Sequence, residues 1–108
     1  MSQPRQLPPL THLQFLILGA LVAGERSGKD LRRDLTRYGV RRTAAAFYQL
    51  MARLEDAGWV SGSYTQQIVD RQIIKERCYR ITAAGERAWT RTRDFYADAA
   101  RAVRVAHA

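Results

Sequence analysis

Thr43-Ala44-Ala45-Ala46-Phe47-Tyr48-Gln49-Leu50-Met51-Ala52-Arg53-Leu54-Glu55-Asp56-Ala57-Gly58-Trp59-Val60 is the stretch whose reading decides the fold. Thr43 is a good helix N-cap. From Ala44 to Ala57, Phe47, Leu50, Met51 and Leu54 recur at three- and four-residue steps, which draws one apolar helical stripe. Gly58 stands where a helix hands over to a left-handed residue. The period then changes. Trp59 to Ile68 and Ile73 to Ile81 are rich in β-branched and aromatic residues and read as the two strands of a hairpin around Val69-Asp70-Arg71-Gln72. That turn has no glycine, so its register stays open.

Working outward toward the N-terminus, Ser27-Gly28-Lys29-Asp30 is a capping-box-like start with Asp in place of Glu. It opens a short helix with Leu31 and Leu35 inward and Lys29, Arg32, Arg33 and Arg37 outward, ended by Gly39. An earlier helix begins near Leu10 or Thr11, with Leu13, Leu16, Ile17, Ala20 and Leu21 on one face and Gly24 as its stop. Phe15, Leu18 and Val22 widen that face, so more than one side is expected to be covered. Residues 1–9 hold all three prolines and read as a loose leader.

Toward the C-terminus, Thr82 can cap a last helix from Ala83 to Ala106. Its stripe of Trp89, Thr92, Tyr96, Ala99, Val103 and Ala106 is spaced like a short coiled-coil seam with one polar member. A lone domain of this size offers little to cover it, so Trp89, Tyr96, Ala99 and Val103 are the expected dimer contacts, with packing on the first helix the alternative for Trp89. The order is helix, helix, helix, strand, strand, helix. This predicts a mainly α fold with a small β-hairpin: a winged helix-turn-helix over residues 10–82, followed by a dimerisation helix over 83–108.

Composition narrows the function classes. The 108 residues carry 18 Lys and Arg against 10 Asp and Glu, a net charge of +8 that points to a polyanionic partner. A hydrophobic content of 46% fits a folded chain rather than a disordered one. The single cysteine, Cys78, cannot form an intramolecular disulfide and suits a reducing, cytoplasmic compartment. With only His12 and His107 beside it, no zinc-ligand spacing exists, and no cofactor is expected. The longest apolar run, Phe15 to Ala23, is about half a membrane span, and the N-terminus lacks the order of a signal peptide. There is no GxGxxG, Walker loop, GxSxG or HExxH, so an enzyme is not expected.

Three segments carry a family resemblance: Leu16-Ile-Leu-Gly-Ala-Leu with Ser27-Gly28, then Phe47 through Val60, then Cys78-Tyr79-Arg80-Ile81-Thr82-Ala83-Ala84-Gly85. Together they make the chain resemble PadR-type transcriptional regulators over residues 10–106. It departs from the family pattern at Ser27, where histidine is usual, and at Thr43-Ala44-Ala45-Ala46, where Ser-x-Gly-Thr is frequent. It departs again at Gln49, where proline is common, and in a wing tip without glycine or proline. The resemblance implies a two-fold dimer made by the first and last helices. In some such dimers flat aromatic compounds bind between these helices, a role for which Trp89, Phe95 and Tyr96 are candidates here.

The candidate DNA contacts are Arg41, Arg42, Thr43, Ala44, Tyr48, Gln49 and Arg53, with Arg71, Lys75 and Arg77 on the wing. Arg41 and Arg42 precede the helix end that enters a groove, where they can clamp phosphate or reach guanine. Thr43 can cap or contact phosphate. The alanines allow close backbone approach, and helix propensity explains them equally well. Tyr48 suits either a phosphate bond or packing, Gln49 can read adenine, and Arg53 follows one turn on, with pairing to Glu55 or Asp56 its alternative. The wing cations can track the backbone or a narrow minor groove, or simply guard a sheet edge. The expected function is a homodimeric regulator of double-stranded DNA, of repressor type, on a palindromic site. The alternatives are a protein-interaction adaptor and a regulator gated by an aromatic ligand.

Overall fold

In the computed structural model, which describes residues 6–106, a reciprocal cap starts the first helix, α1 (His12–Leu21). Thr11 Oγ1 accepts from the Gln14 N–H at 3.1 Å and Gln14 Oε1 accepts from the Thr11 N–H at 2.9 Å. The Thr-x-x-Gln spacing that builds it is visible in the sequence. Of the expected leader, residues 1–5 lie outside the described residues; Leu7 is exposed, and Leu10 is buried in the core.

A two-residue strand, β1 (Arg26–Ser27), leads into α2 (Gly28–Thr36). Ser27 Oγ accepts from the Asp30 N–H at 3.0 Å, but the Asp30 carboxylate turns to Arg33 at 2.5 Å, so the box is only half formed. Helix α3 (Ala44–Asp56) follows. It ends with the Gly58 N–H on the Glu55 carbonyl (2.9 Å) and the Trp59 N–H on the Leu54 carbonyl (3.0 Å), with Gly58 at φ +79°. This is the glycine-dependent stop expected of the sequence.

Strands β2 (Val60–Val69) and β3 (Gln72–Ile81) pair antiparallel from Val60↔Ile81 to Val69↔Gln72, and β1 adds to the other edge of β3 through Arg26↔Tyr79 and Ser27↔Cys78. The turn is two residues, Asp70 and Arg71, both at positive φ (51° and 66°). This is the backbone a tight hairpin wants, and aspartate tolerates it, whereas arginine does so only at a cost. Helix α4 (Ala83–Ala106) closes the chain. Thr82 Oγ1 caps it by accepting from the Gly85 N–H at 3.0 Å.

The core is the meeting of the first three helices with the base of the hairpin. Ile17, Leu18 and Leu21 from α1, Leu31 and Leu35 from α2, and Phe47, Met51 and Leu54 from α3 pack with Val60 and Tyr79. Each large side chain buried there contributes about 1.5–3 kcal/mol. Beyond Tyr64 the hairpin leaves this core, and Ile68, Val69, Ile73 and Ile74 are exposed. The C-terminal turns of α4 likewise leave it, with every residue from 100 to 105 exposed. The result is a winged helix with a long terminal helix. Among the described residues no helix is long and apolar enough to cross a membrane.

Candidate nucleic-acid interface

The N-terminal end of α3 is exposed because its stripe is one-sided. Phe47, Met51 and Leu54 face the core, which leaves Ala44, Ala45, Tyr48, Gln49, Ala52 and Arg53 on the open face. Thr43 Oγ1 accepts from the Ala46 N–H at 3.1 Å and starts the helix. Tyr48 is partly packed and partly open. Its ring meets Phe47 edge-on at 5.3 Å and lies against Gly28, while 38% of the residue stays accessible.

Arg41 and Arg42 are exposed in the connection before α3. Arg32 Nη2 donates to the Arg42 carbonyl at 3.2 Å and fixes that connection to α2. Lys29, Arg32 and Arg33 of α2 and Arg41 and Arg42 of the loop line one cleft of about 370 Å³. The acids of α2 neutralise little of it. Asp34 pairs with Arg26 at 2.7 Å and Asp30 with Arg33, so Lys29 and Arg32 have no carboxylate partner among the described residues. In the sequence Lys29, Arg32 and Arg33 are placed to touch phosphate, with Asp30 and Asp34 beside them favouring a solvated face; the pairing of Asp34 with Arg26 of β1 takes one of those acids away.

The wing divides its cations. Arg71 stands at the tip, and Lys75 is exposed on the hairpin face shared with Gly62, Tyr64, Arg77 and Tyr79. Arg77 is not free at the surface. Its Nη2 donates to Glu55 Oε1 at 2.7 Å, and its guanidinium lies 4.8 Å from the Tyr64 ring centre and 5.7 Å from that of Tyr79. Burial pushes the Tyr79 phenol above its ordinary range, against the pull of the Arg77 hydrogen bond and charge. Cys78 is buried with Sγ 3.4 Å from Thr65 Oγ1. Among the described residues no cluster of His, Cys, Asp and Glu could hold a metal.

The expected dimer stripe is also divided. Trp89 stacks on Phe15 and covers Gly19 of its own α1. Thr92 is buried and donates to the Ala88 carbonyl at 2.7 Å, which satisfies its hydroxyl within the helix. Ala99 is half-buried, whereas Tyr96 and Val103 are largely exposed. Between α1 and α4 opens a mostly apolar cleft of about 390 Å³ bounded by Leu10, Phe15, Leu16, Thr92, Arg93 and Tyr96.

This architecture recurs among solved structures. Bacillus subtilis PadR, determined with operator DNA, superposes with a TM-score of 0.63 at 24% identity; the match covers 76% of this chain and 46% of that one. This chain therefore spans under half the length of that regulator. A PadR-family regulator from Clostridium difficile gives 0.73 at 11% identity, over 91% of this chain and 100% of the other. H. salinarum RosR gives 0.66 at 24% identity, over 84% and 77%. No curated protein sequence matches the chain. The model of the Transcriptional regulator PadR-like family matches residues 17–91, which include α2, α3, the wing and the start of α4. With more than half of its length inside that model, the chain belongs to the PadR-like family of transcriptional regulators.

Proposed function

We propose that the protein is a sequence-specific double-stranded DNA-binding regulator of repressor type that acts as a homodimer. The observation that carries this reading is the exposed face of α3 beside Arg41 and Arg42, with uncompensated Lys29 and Arg32 behind them. A slim helix end flanked by cations meets both needs of groove recognition, charge for phosphate and small side chains for close approach. Arg41, Arg42 and Thr43 hold phosphate. Ala44, Tyr48, Gln49 and Arg53 face the groove, with Gln49 suited to adenine. Arg71 and Lys75 reach the flanking backbone or minor groove. Two copies joined through Tyr96, Ala99 and Val103 present two recognition helices, which suits a palindromic site with half-sites about one helical turn apart. The operator complex of Bacillus subtilis PadR supports the same mode of action.

The experiment is a salt-titrated binding assay on duplex DNA from upstream of the protein's own gene, with random duplex as control. Tight, sequence-dependent binding is expected, and Arg41→Ala with Arg42→Ala should weaken it and reduce the salt slope by about 2. Equal affinity for both duplexes, or a double variant that binds as the parent does at every salt concentration, overturns the assignment.

A second reading, in which a flat aromatic ligand tunes DNA affinity, is favoured by the apolar cleft between Phe15 and Tyr96. Quenching of Trp89 fluorescence by planar aromatics, with a matching change in DNA affinity, is the expected signature; a flat titration removes this reading.

A further inference from the structure

We infer that Glu55 and Arg77 form a positioning pair that sets the angle of the wing against α3, so that Arg77 serves DNA binding without touching phosphate. The inference rests on the DNA-binding reading only for its consequence in affinity; the pair itself is a feature of the free protein.

The wing needs such a device. Its two ten-residue strands leave the core beyond Tyr64, and a two-stranded ribbon is marginal by itself. Its direction is therefore set by contacts near its base. Glu55 lies in the last turn of α3, and Arg77 lies on β3 opposite Tyr64. The 2.7 Å bond between them joins the two elements at a point 22 residues apart in sequence. Both side chains are about three-quarters shielded, with exposures of 27% and 25%. Stacking of a planar guanidinium on Tyr64 and Tyr79 restricts it further.

Gly62 is the sequence mark of this arrangement. It pairs with Tyr79 in the ladder, and a Cβ there would clash with both the Glu55 carboxylate and the Arg77 guanidinium. Glycine weakens a strand interior, and here the missing side chain is the space the ion pair fills. Beyond Tyr64↔Arg77 the same hairpin face continues through Gln66↔Lys75 to Ile68↔Ile73. Fixing Arg77 therefore fixes where Lys75 and the Arg71 tip stand relative to α3. An arginine already neutralised by Glu55 displaces no counterion on meeting DNA.

Two measurements on the intact chain test this. The first is the salt dependence of affinity for the upstream duplex. Glu55→Ala and Arg77→Ala are each expected to weaken binding roughly three- to tenfold. Their slope of log affinity against log salt should stay that of the parent, whereas Lys75→Ala should lower it by about 1. If Arg77 instead holds phosphate, Arg77→Ala lowers the slope and Glu55→Ala, which unmasks a cation, strengthens binding; either result overturns the inference. The second is amide hydrogen exchange without DNA. Both alanine variants should exchange faster across residues 63–76 while α1 exchanges as in the parent, and unchanged wing exchange overturns the pair. Glu55→Met, which keeps the length of the side chain but removes the carboxylate acceptor, gives the same test should the alanine variant fail to fold. Absence of DNA binding by the parent would count against the proposed function alone, since the exchange result still decides the pair.

Discussion

The indole of Trp89 lies nearly parallel to the ring of Phe15, 10° from it with centres 5.9 Å apart. Its Nε1 edge occupies the space a side chain at Gly19 would need, and the Arg93 guanidinium lies 5.2 Å from its ring centre. The first turns of α4 are thereby fastened to α1 of the same chain. What remains open on the stripe is its outer part, Tyr96 and Val103, flanking the half-buried Ala99. Trp89 belongs to the fold before it belongs to any dimer.

The two parts of the stripe should answer differently to charge. Tyr96→Glu with Val103→Glu is expected to give folded monomers, with parent-like circular dichroism and half the mass by light scattering. Trp89→Glu should instead destabilise the chain by on the order of 2–3 kcal/mol, because it empties the Phe15 stack and buries a carboxylate. A dimer that survives in the Tyr96/Val103 variant would remove those residues from the interface.

What the residues disclose in advance follows from the kind of physics involved. The Phe47-Leu50-Met51-Leu54 stripe and the Thr43 and Gly58 signals made α3 legible, because all are local. The hairpin was legible from its β-branched runs, but its tight turn was not, since Asp70-Arg71 adopts a backbone that asparagine-glycine normally advertises. Strand β1 escaped notice because two residues have no period. At the candidate site, the exposed cations Arg41 and Arg42 could be read from their place before a capped helix. The pairing of Arg77 with Glu55 could not, because it depends on register across 22 residues. Gly62 inside a strand pattern was the available hint, since such a glycine often marks close approach by another group.

Arg71 sits at φ +66°, where an arginine is strained by about 1–2 kcal/mol and a glycine is not. Arg71→Gly should stabilise the fold by roughly 0.5 kcal/mol, after the extra freedom it lends the unfolded chain is subtracted. If the charge is kept at the tip for DNA, the same variant loses affinity and its salt slope falls by about 1. Denaturant melts and the binding assay on one preparation check both. A variant that gains stability and binds as well as the parent would show the tip cation to be idle.

Tyr79 makes stability fall at high pH. Burial raises its pKa in the folded chain above the unfolded value, so the phenol holds its proton longer when folded. The contribution is whole below pH 10.0, the unfolded value, and is lost as pH climbs above it. Urea melts at pH 8 and at pH 10.5 should therefore show a drop that Tyr79→Phe makes smaller. An equal drop in both proteins would exclude Tyr79 as its source.

Thr82 joins the end of α3 to the start of α4 through its hydroxyl and its backbone N–H. Its Oγ1 donates to the Gly58 carbonyl at 2.6 Å and accepts from the Gly85 N–H at 3.0 Å, while its own N–H donates to the Trp59 carbonyl at 3.0 Å. The helix so joined to α3 is the one proposed to carry the partner subunit. Gly85 lets this joint close, because a Cβ there would run into the Trp59 carbonyl and Ile81. Thr82→Val keeps the shape but removes both hydroxyl bonds, and should cost about 1–2 kcal/mol in thermal or denaturant unfolding. Thr82→Ser restores both bonds and should recover most of that loss. Equal stability of the valine and serine variants would show that the hydroxyl does not hold the joint. A dimer whose DNA affinity falls in the valine variant, with fold and dimer mass intact, would show that the joint also sets the spacing of the two recognition helices.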